Sequence, residues 1–74
     1  MDVENLVLMA NRIGEFFQAM PDREEASREI ALHLRKFWEP RMRRELLAHL
    51  DHADGAGLLA IVDESIRQHR EALG

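Results

Sequence analysis

The sequence contains no cysteine, which excludes disulfides, thiolate ligation of iron–sulfur clusters and thiol chemistry. It also has no threonine or tyrosine and few valines and isoleucines, so strands are not expected. Two prolines and four glycines are too few for a fibrous or disordered chain. With 46% apolar and 32% charged residues, the composition instead favours a globular helical protein.

Length limits the core that the chain can enclose. We expect residues 1–74 to form one small helical domain, and such a domain buries only a modest apolar core without disulfides, metal or a partner. No apolar run approaches the length of a membrane span, and the acidic N-terminus lacks the features of a signal peptide. The sequence therefore predicts a cytoplasmic subunit that does not contact a membrane.

The charge balance argues against binding to nucleic acid. Fourteen acidic residues face ten basic ones, for a net charge of -4, whereas proteins that bind nucleic acid need an excess of cations. Nine of the ten basic residues are arginine, which suits forked contacts with carboxylates or phosphates.

Apolar spacing predicts an all-α fold of four short helices. The first begins near Asp2 and is stopped by Pro21, and Asp22 then caps the second. Glu39 breaks the second helix because a residue before proline avoids the helical region, and Pro40 suits the first position of the third. After a turn at residues 54–57, a fourth helix runs nearly to the C-terminus.

The residues offer little for catalysis, and we predict no catalytic, cofactor-binding or metal site in this chain. Ser27 and Ser65 are expected to be exposed helix serines without a positioned base. His49 and His52 have a spacing that can chelate metal, but further ligands would have to come from other helices. Histidines at helix ends or on the surface are the favoured interpretation.

Two regions carry more apolar or cationic surface than a single small core needs. Adjacent helical side chains point about 100° apart, so the pairs Phe16–Phe17 and Phe37–Trp38 cannot both lie within one narrow stripe. Either another chain covers the surplus or the four helices wrap closely enough to hide it. We predict partner binding by Phe16, Phe17, Phe37, Trp38, Pro40, Arg41, Met42, Arg43 and Arg44.

The arginines after Pro40 oppose the positive end of their own helix dipole. In one interpretation Arg41, Arg43 and Arg44 are surface side chains paired with nearby acids. In the other they dock on an acidic or phosphate-bearing partner surface.

The segments 6–17, 21–22 and 30–43 together resemble the delta subunit of NAD-dependent, molybdenum-containing formate dehydrogenases. The resemblance covers about residues 3–73, and its most specific part is Phe-Trp-acidic-Pro-Arg-Met-Arg at residues 37–43, preceded by His33-Leu34. Two positions depart from the pattern, Arg12 where glutamine is more usual and Glu39 where aspartate is.

The resemblance implies a non-catalytic accessory subunit that serves assembly, stability or molybdenum cofactor retention. Its implied partners are the large molybdenum-containing subunit and the electron-transfer subunits, in a complex that carries bis-pterin molybdenum, iron–sulfur clusters, FMN and NAD. Two alternatives remain open: a small helical adaptor or homodimer that self-associates when isolated, and a helical nucleic-acid module.

Overall fold

The computed structural model describes residues 2–74, which form five helices and no strand. The helices are α1 (Val3–Phe17), α2 (Arg23–Phe37), α3 (Pro40–Ala53), α4 (Ala60–Gln68) and α5 (Arg70–Leu73). The predicted all-α class is confirmed.

Aspartate side chains begin the first two helices. The Asp2 carboxylate accepts a hydrogen bond from the backbone N–H of Glu4, and Asp22 accepts from Glu24 and Glu25. Such caps satisfy N–H groups that have no partner within the helix, and the negative charge lies at the positive end of the helix dipole. The predicted cap at Asp22 is therefore confirmed.

The first helix ends a turn earlier than Pro21 predicts. Phe17 is its last residue, and Gln18 still donates its N–H to the Gly14 carbonyl. Met20 then bonds to the Phe17 carbonyl in a tighter turn. A residue that precedes proline is pushed out of the helical region, so the chain leaves the helix before Pro21 is reached.

The bend between α2 and α3 lies where proline predicts it. Trp38 and Glu39 have extended backbone angles, with ψ of 137° and 149°, and Pro40 is the first residue of α3. Pro40 has no N–H to satisfy, which suits a position whose N–H has no helical acceptor.

A left-handed turn follows α3. Asp54, Gly55 and Gly57 have φ of 53°, 68° and 87°, a region that glycine occupies without steric cost. The Asn11 side chain on α1 fixes the far end of this turn, since its amide donates to the Gly57 carbonyl and its oxygen accepts from the Leu59 N–H, both at 2.9 Å. The turn predicted at residues 54–57 is confirmed.

The predicted fourth helix is wrong in its extent. It begins at Ala60, and it breaks at His69, whose φ of -110° and ψ of 26° are not helical. The break separates α4 from the short α5. Leu73 lies in the core, as the helical spacing of its apolar stripe predicts, and its carbonyl accepts a hydrogen bond from the Arg43 side chain, which spacing does not predict.

The core lies where α2 packs against α1, α4 and α5, with α3 closing against α1 and α5. Its fully buried large apolar side chains come from all five helices: Leu6, Ile30, Leu34, Leu46, Val62, Ile66 and Leu73.

Two buried serines join α2 to α4, which corrects the expectation that both are exposed. The Ser65 hydroxyl donates to the Ser27 carbonyl at 2.6 Å, and the Ser27 hydroxyl donates to the Gln68 side chain at 3.0 Å. Small side chains let the two helices approach, and each buried hydroxyl has a partner, as burial of a polar group requires.

Gly14 allows α1 to approach α4. It is buried, and a Cβ at this position would lie closer to Val62 Cγ2 than van der Waals contact allows. Valine is branched at Cβ and has little rotamer freedom with which to yield.

We predict that Gly14→Ala lowers the free energy of unfolding by about 1 kcal/mol, because overpacking outweighs the gain in helix propensity. In a Val62→Ala background the clash is removed, so the same substitution should stabilise the chain by about 0.5–1 kcal/mol. Urea unfolding followed by circular dichroism measures both values. Stabilisation by Gly14→Ala in the wild-type chain would contradict the close approach.

Candidate partner-binding surface

The residues predicted to bind a partner differ widely in exposure. Phe16, Phe37, Pro40, Arg41 and Arg44 are exposed. Phe17 and Met42 are half-buried, whereas Trp38 and Arg43 are each only 6% exposed. The structure therefore divides the predicted set into surface side chains and side chains that hold the fold together.

Phe16 and Phe37 begin and end a continuous row of aromatic rings. The Phe16 and Phe17 centroids are 5.0 Å apart, edge to face, and Phe17 lies 6.2 Å from the His33 ring. His33 in turn lies 4.7 Å from Phe37. Edge-to-face and tilted contacts at these distances are the favoured geometries of aromatic pairs.

Beside this row lies a hollow of about 360 Å³, here called the aromatic groove, lined by Arg12, Ile13, Phe16, Phe17 and His33. Four lining residues lie on the second half of α1, and His33 lies on α2 one turn before Phe37. Phe17 and Ile13 pack against the core, so the floor of the groove is continuous with the interior. The row ends in solvent on both sides, because Phe16 is 75% and Phe37 71% exposed.

Trp38 fixes the bend between α2 and α3. Its side chain belongs to the core, its N–H donates to the Leu34 carbonyl, and its own carbonyl accepts from Arg43. Trp38 therefore stabilises the fold through contacts within its own chain.

Arg43 corrects both interpretations of the arginine turn, since each treats it as a surface side chain. Its Nη1 donates to the Trp38 carbonyl at 2.7 Å and to the Arg35 carbonyl at 3.2 Å, and its Nε donates to the Leu73 carbonyl at 3.2 Å. These carbonyls lie at the C-terminal ends of α2 and α5, where no helical N–H is available and the dipole is negative. The cation therefore satisfies the ends of two helices instead of pairing with acids.

The other two arginines of the turn stay on the surface. Arg41 reaches Glu45, one turn later on α3, at 3.7 Å, and an exposed pair of this kind contributes little. The Arg44 side chain forms no hydrogen bond or ion pair with any of residues 2–74. Docking through Arg41 and Arg44 stays a prediction.

Ion pairs elsewhere shift the pKa values of Asp51 and Arg67. A hydrogen bond from Arg70 lowers the pKa of the Asp51 carboxyl, and this pair joins α3 to α5. A hydrogen bond to Asp63, with a further one to Asp54, raises the pKa of Arg67. The pairs Arg67–Asp54 and Arg70–Asp51 are exposed and join the end of α3 to α4 and α5.

The histidines do not converge. Among residues 2–74 there is no group of three His, Cys, Asp or Glu side chains arranged to hold a metal ion. His49 Nε2 lies 2.8 Å from the Ala56 carbonyl, in the turn after its own helix. His33 belongs to the aromatic row.

Residues 5–66 match the family model of the NADH-dependent formate dehydrogenase delta subunit FdsD. The chain belongs to this delta-subunit family. The match runs from the first turns of α1 to Ile66 in α4 and so includes the aromatic groove, the bend at Trp38 and Arg43. Comparisons with curated proteins and with solved structures gave no match.

Membership of this family makes the chain an accessory subunit associated with a formate dehydrogenase. No helix within residues 2–74 is long and apolar enough to cross a membrane.

Sequence reasoning missed two residues that shape this delta subunit. Asn11 interrupts the apolar run of α1, and an amide among apolar neighbours indicates a side chain that bonds to the backbone of another segment, as Asn11 does to Gly57 and Leu59. His33 lies four residues before Phe37, a spacing at which helical side chains meet and a signal that could have placed it in the aromatic row.

We predict that Arg43→Met lowers the free energy of unfolding of the delta subunit by at least about 2 kcal/mol. The reason is that three buried or partly buried carbonyls lose a charged donor. The matched control is Arg44→Met on the next residue, where a surface change should stay within about 0.5 kcal/mol. Thermal and urea unfolding of both variants give the comparison. Equal stability of the two variants would contradict the assigned role of Arg43.

Proposed function

We propose that the delta subunit is a non-catalytic component that supports assembly and stability of a cytoplasmic formate dehydrogenase complex. It does so through helix-mediated contacts with the large molybdenum-containing subunit or the electron-transfer subunits. Family membership supports the association with a formate dehydrogenase.

The observation that carries the proposal is the exposure of Phe16 and Phe37, at 75% and 71%. Two phenylalanine rings in one continuous row, beside an apolar hollow, form a patch of the kind that marks an interaction site. A chain of 74 residues encloses little core of its own, so covering this patch by another subunit stabilises both.

The polar side chains that a small enzyme would use are engaged in folding contacts here. The two serine hydroxyls bond across the α2–α4 interface, and His49 bonds to the turn after α3. This supports a role through protein contacts, with the bis-pterin molybdenum, iron–sulfur clusters, FMN and NAD bound by other subunits. Retention of the molybdenum cofactor would then follow from stabilising the subunit that holds it.

We predict that the dehydrogenase expressed without the delta subunit is recovered in lower yield, or loses molybdenum and activity faster on warming. The physical reason is that a protein bound only to the assembled state stabilises that state by mass action. Complex yield, molybdenum and iron per complex, and the half-life of formate oxidation at a fixed temperature are the measurements. Expression of the wild-type delta subunit from a second plasmid is the control and should restore them.

A complex that forms with equal yield, equal metal content and an equal half-life in the absence of the chain would contradict the proposal.

A further inference from the structure

We propose that the aromatic groove is the docking site for an apolar segment of another dehydrogenase subunit, and that this segment places a carboxylate opposite Arg12. The inference rests on the proposed function and adds the surface and the chemistry of what it binds.

The groove is prepared for an apolar occupant. Phe17 is held between the core, Phe16 and His33, and His33 in turn contacts Phe37. Rings fixed in this way lose little conformational freedom on binding, and aromatic side chains are the usual anchors of protein interfaces. The other large exposed apolar side chains, Val3, Leu8 and Leu32, belong to no such row.

Charge at the groove selects the occupant. The chain carries more acids than bases, yet the lining contains an arginine and a histidine and no carboxylate. The Arg12 side chain is exposed and forms no hydrogen bond or ion pair with any of residues 2–74. Four other arginines each have an acidic partner: Arg23, Arg41, Arg67 and Arg70. Arg12 therefore remains available for a carboxylate supplied from outside, which arginine binds through two parallel hydrogen bonds.

A second copy of this chain fits the groove poorly. In a two-fold symmetric dimer the same patch faces itself, so two Arg12 guanidinium groups would approach one another without an acid in the lining to separate them. Each copy also carries a net charge of -4. A segment of a different subunit that carries a carboxylate places an acid opposite Arg12 and avoids the repulsion between two guanidinium groups.

The apolar test uses the double variant Phe16→Ala with Phe37→Ala. Its matched control is Leu8→Ala with Leu32→Ala, which likewise removes one exposed apolar side chain from α1 and one from α2. Each tagged chain is co-expressed with the other dehydrogenase subunits, and the amount of those subunits recovered with the tag is measured. We expect the phenylalanine variant to recover roughly tenfold less or lower still, and the leucine control to match the wild type.

The charge test uses Arg12→Glu and Arg12→Gln, with Arg28→Glu as a control on the exposed surface of α2. Because the Arg12 side chain makes no hydrogen bond or ion pair within residues 2–74, these variants test docking with little effect on folding, and circular dichroism records the helicity of each. We expect Arg12→Glu to weaken recovery most and Arg12→Gln less. Raising the salt concentration from low to moderate should reduce the amount of dehydrogenase subunits recovered with the wild-type chain. The reduction should be steeper than with Arg12→Gln, because salt screens the Arg12–carboxylate attraction.

The outcomes separate the two proposals. If the wild-type chain recovers no dehydrogenase subunit, the proposed function fails. If the wild type recovers them and the groove variants do so equally, the docking site is overturned while the proposed function stands. If the groove variants lose only self-association, measured by analytical ultracentrifugation, the occupant is a second copy and the inference is wrong.

Discussion

The guanidinium of Arg43, on α3, holds together the end of α2, the bend that follows it and the end of α5. It bonds to carbonyls in the last turn of α2, at the bend, and at the end of α5. These bonds fix the angle between α2 and α3 and the position of the C-terminal turn. A buried cation is unfavourable unless its donors are satisfied, and helix C-termini supply carbonyls with partial negative charge. The fold thus uses one arginine to satisfy two helix ends.

One end of the row of aromatic rings lies next to the same contact. Phe37 lies between Arg35 and Trp38, whose carbonyls Arg43 holds, so the far end of the ring row is fixed by a residue that never reaches the surface. At the other end, Phe17 enters the core and leaves Phe16 outside. Each of these sequence features is therefore divided: Arg43 and Trp38 hold the helices together, whereas Phe16 and Phe37 stay exposed.

Local rules predicted the parts of the fold that depend on local chemistry. Proline 40, the Asp22 cap and the two glycines after α3 act within a few residues, and the structure has a bend, a helix start and a turn there. By contrast, the bond between Ser65 and Ser27 joins residues 38 positions apart, and the bond from Arg43 to Leu73 joins residues 30 positions apart. Residue type and spacing along the chain do not predict which distant residues pair in this way. The surplus of aromatic rings was visible in sequence, but which ring of each pair stays outside was not.

The bond between Arg43 and Leu73 has a consequence for the newly made chain. Thirty residues separate the two, and at 5–20 residues per second the ribosome needs roughly 1.5–6 s to add them. Throughout that interval Arg43 has only the α2 carbonyls as acceptors, and the space in the core that Leu73 fills is open. The nascent chain completes its tertiary structure only once its final turn emerges.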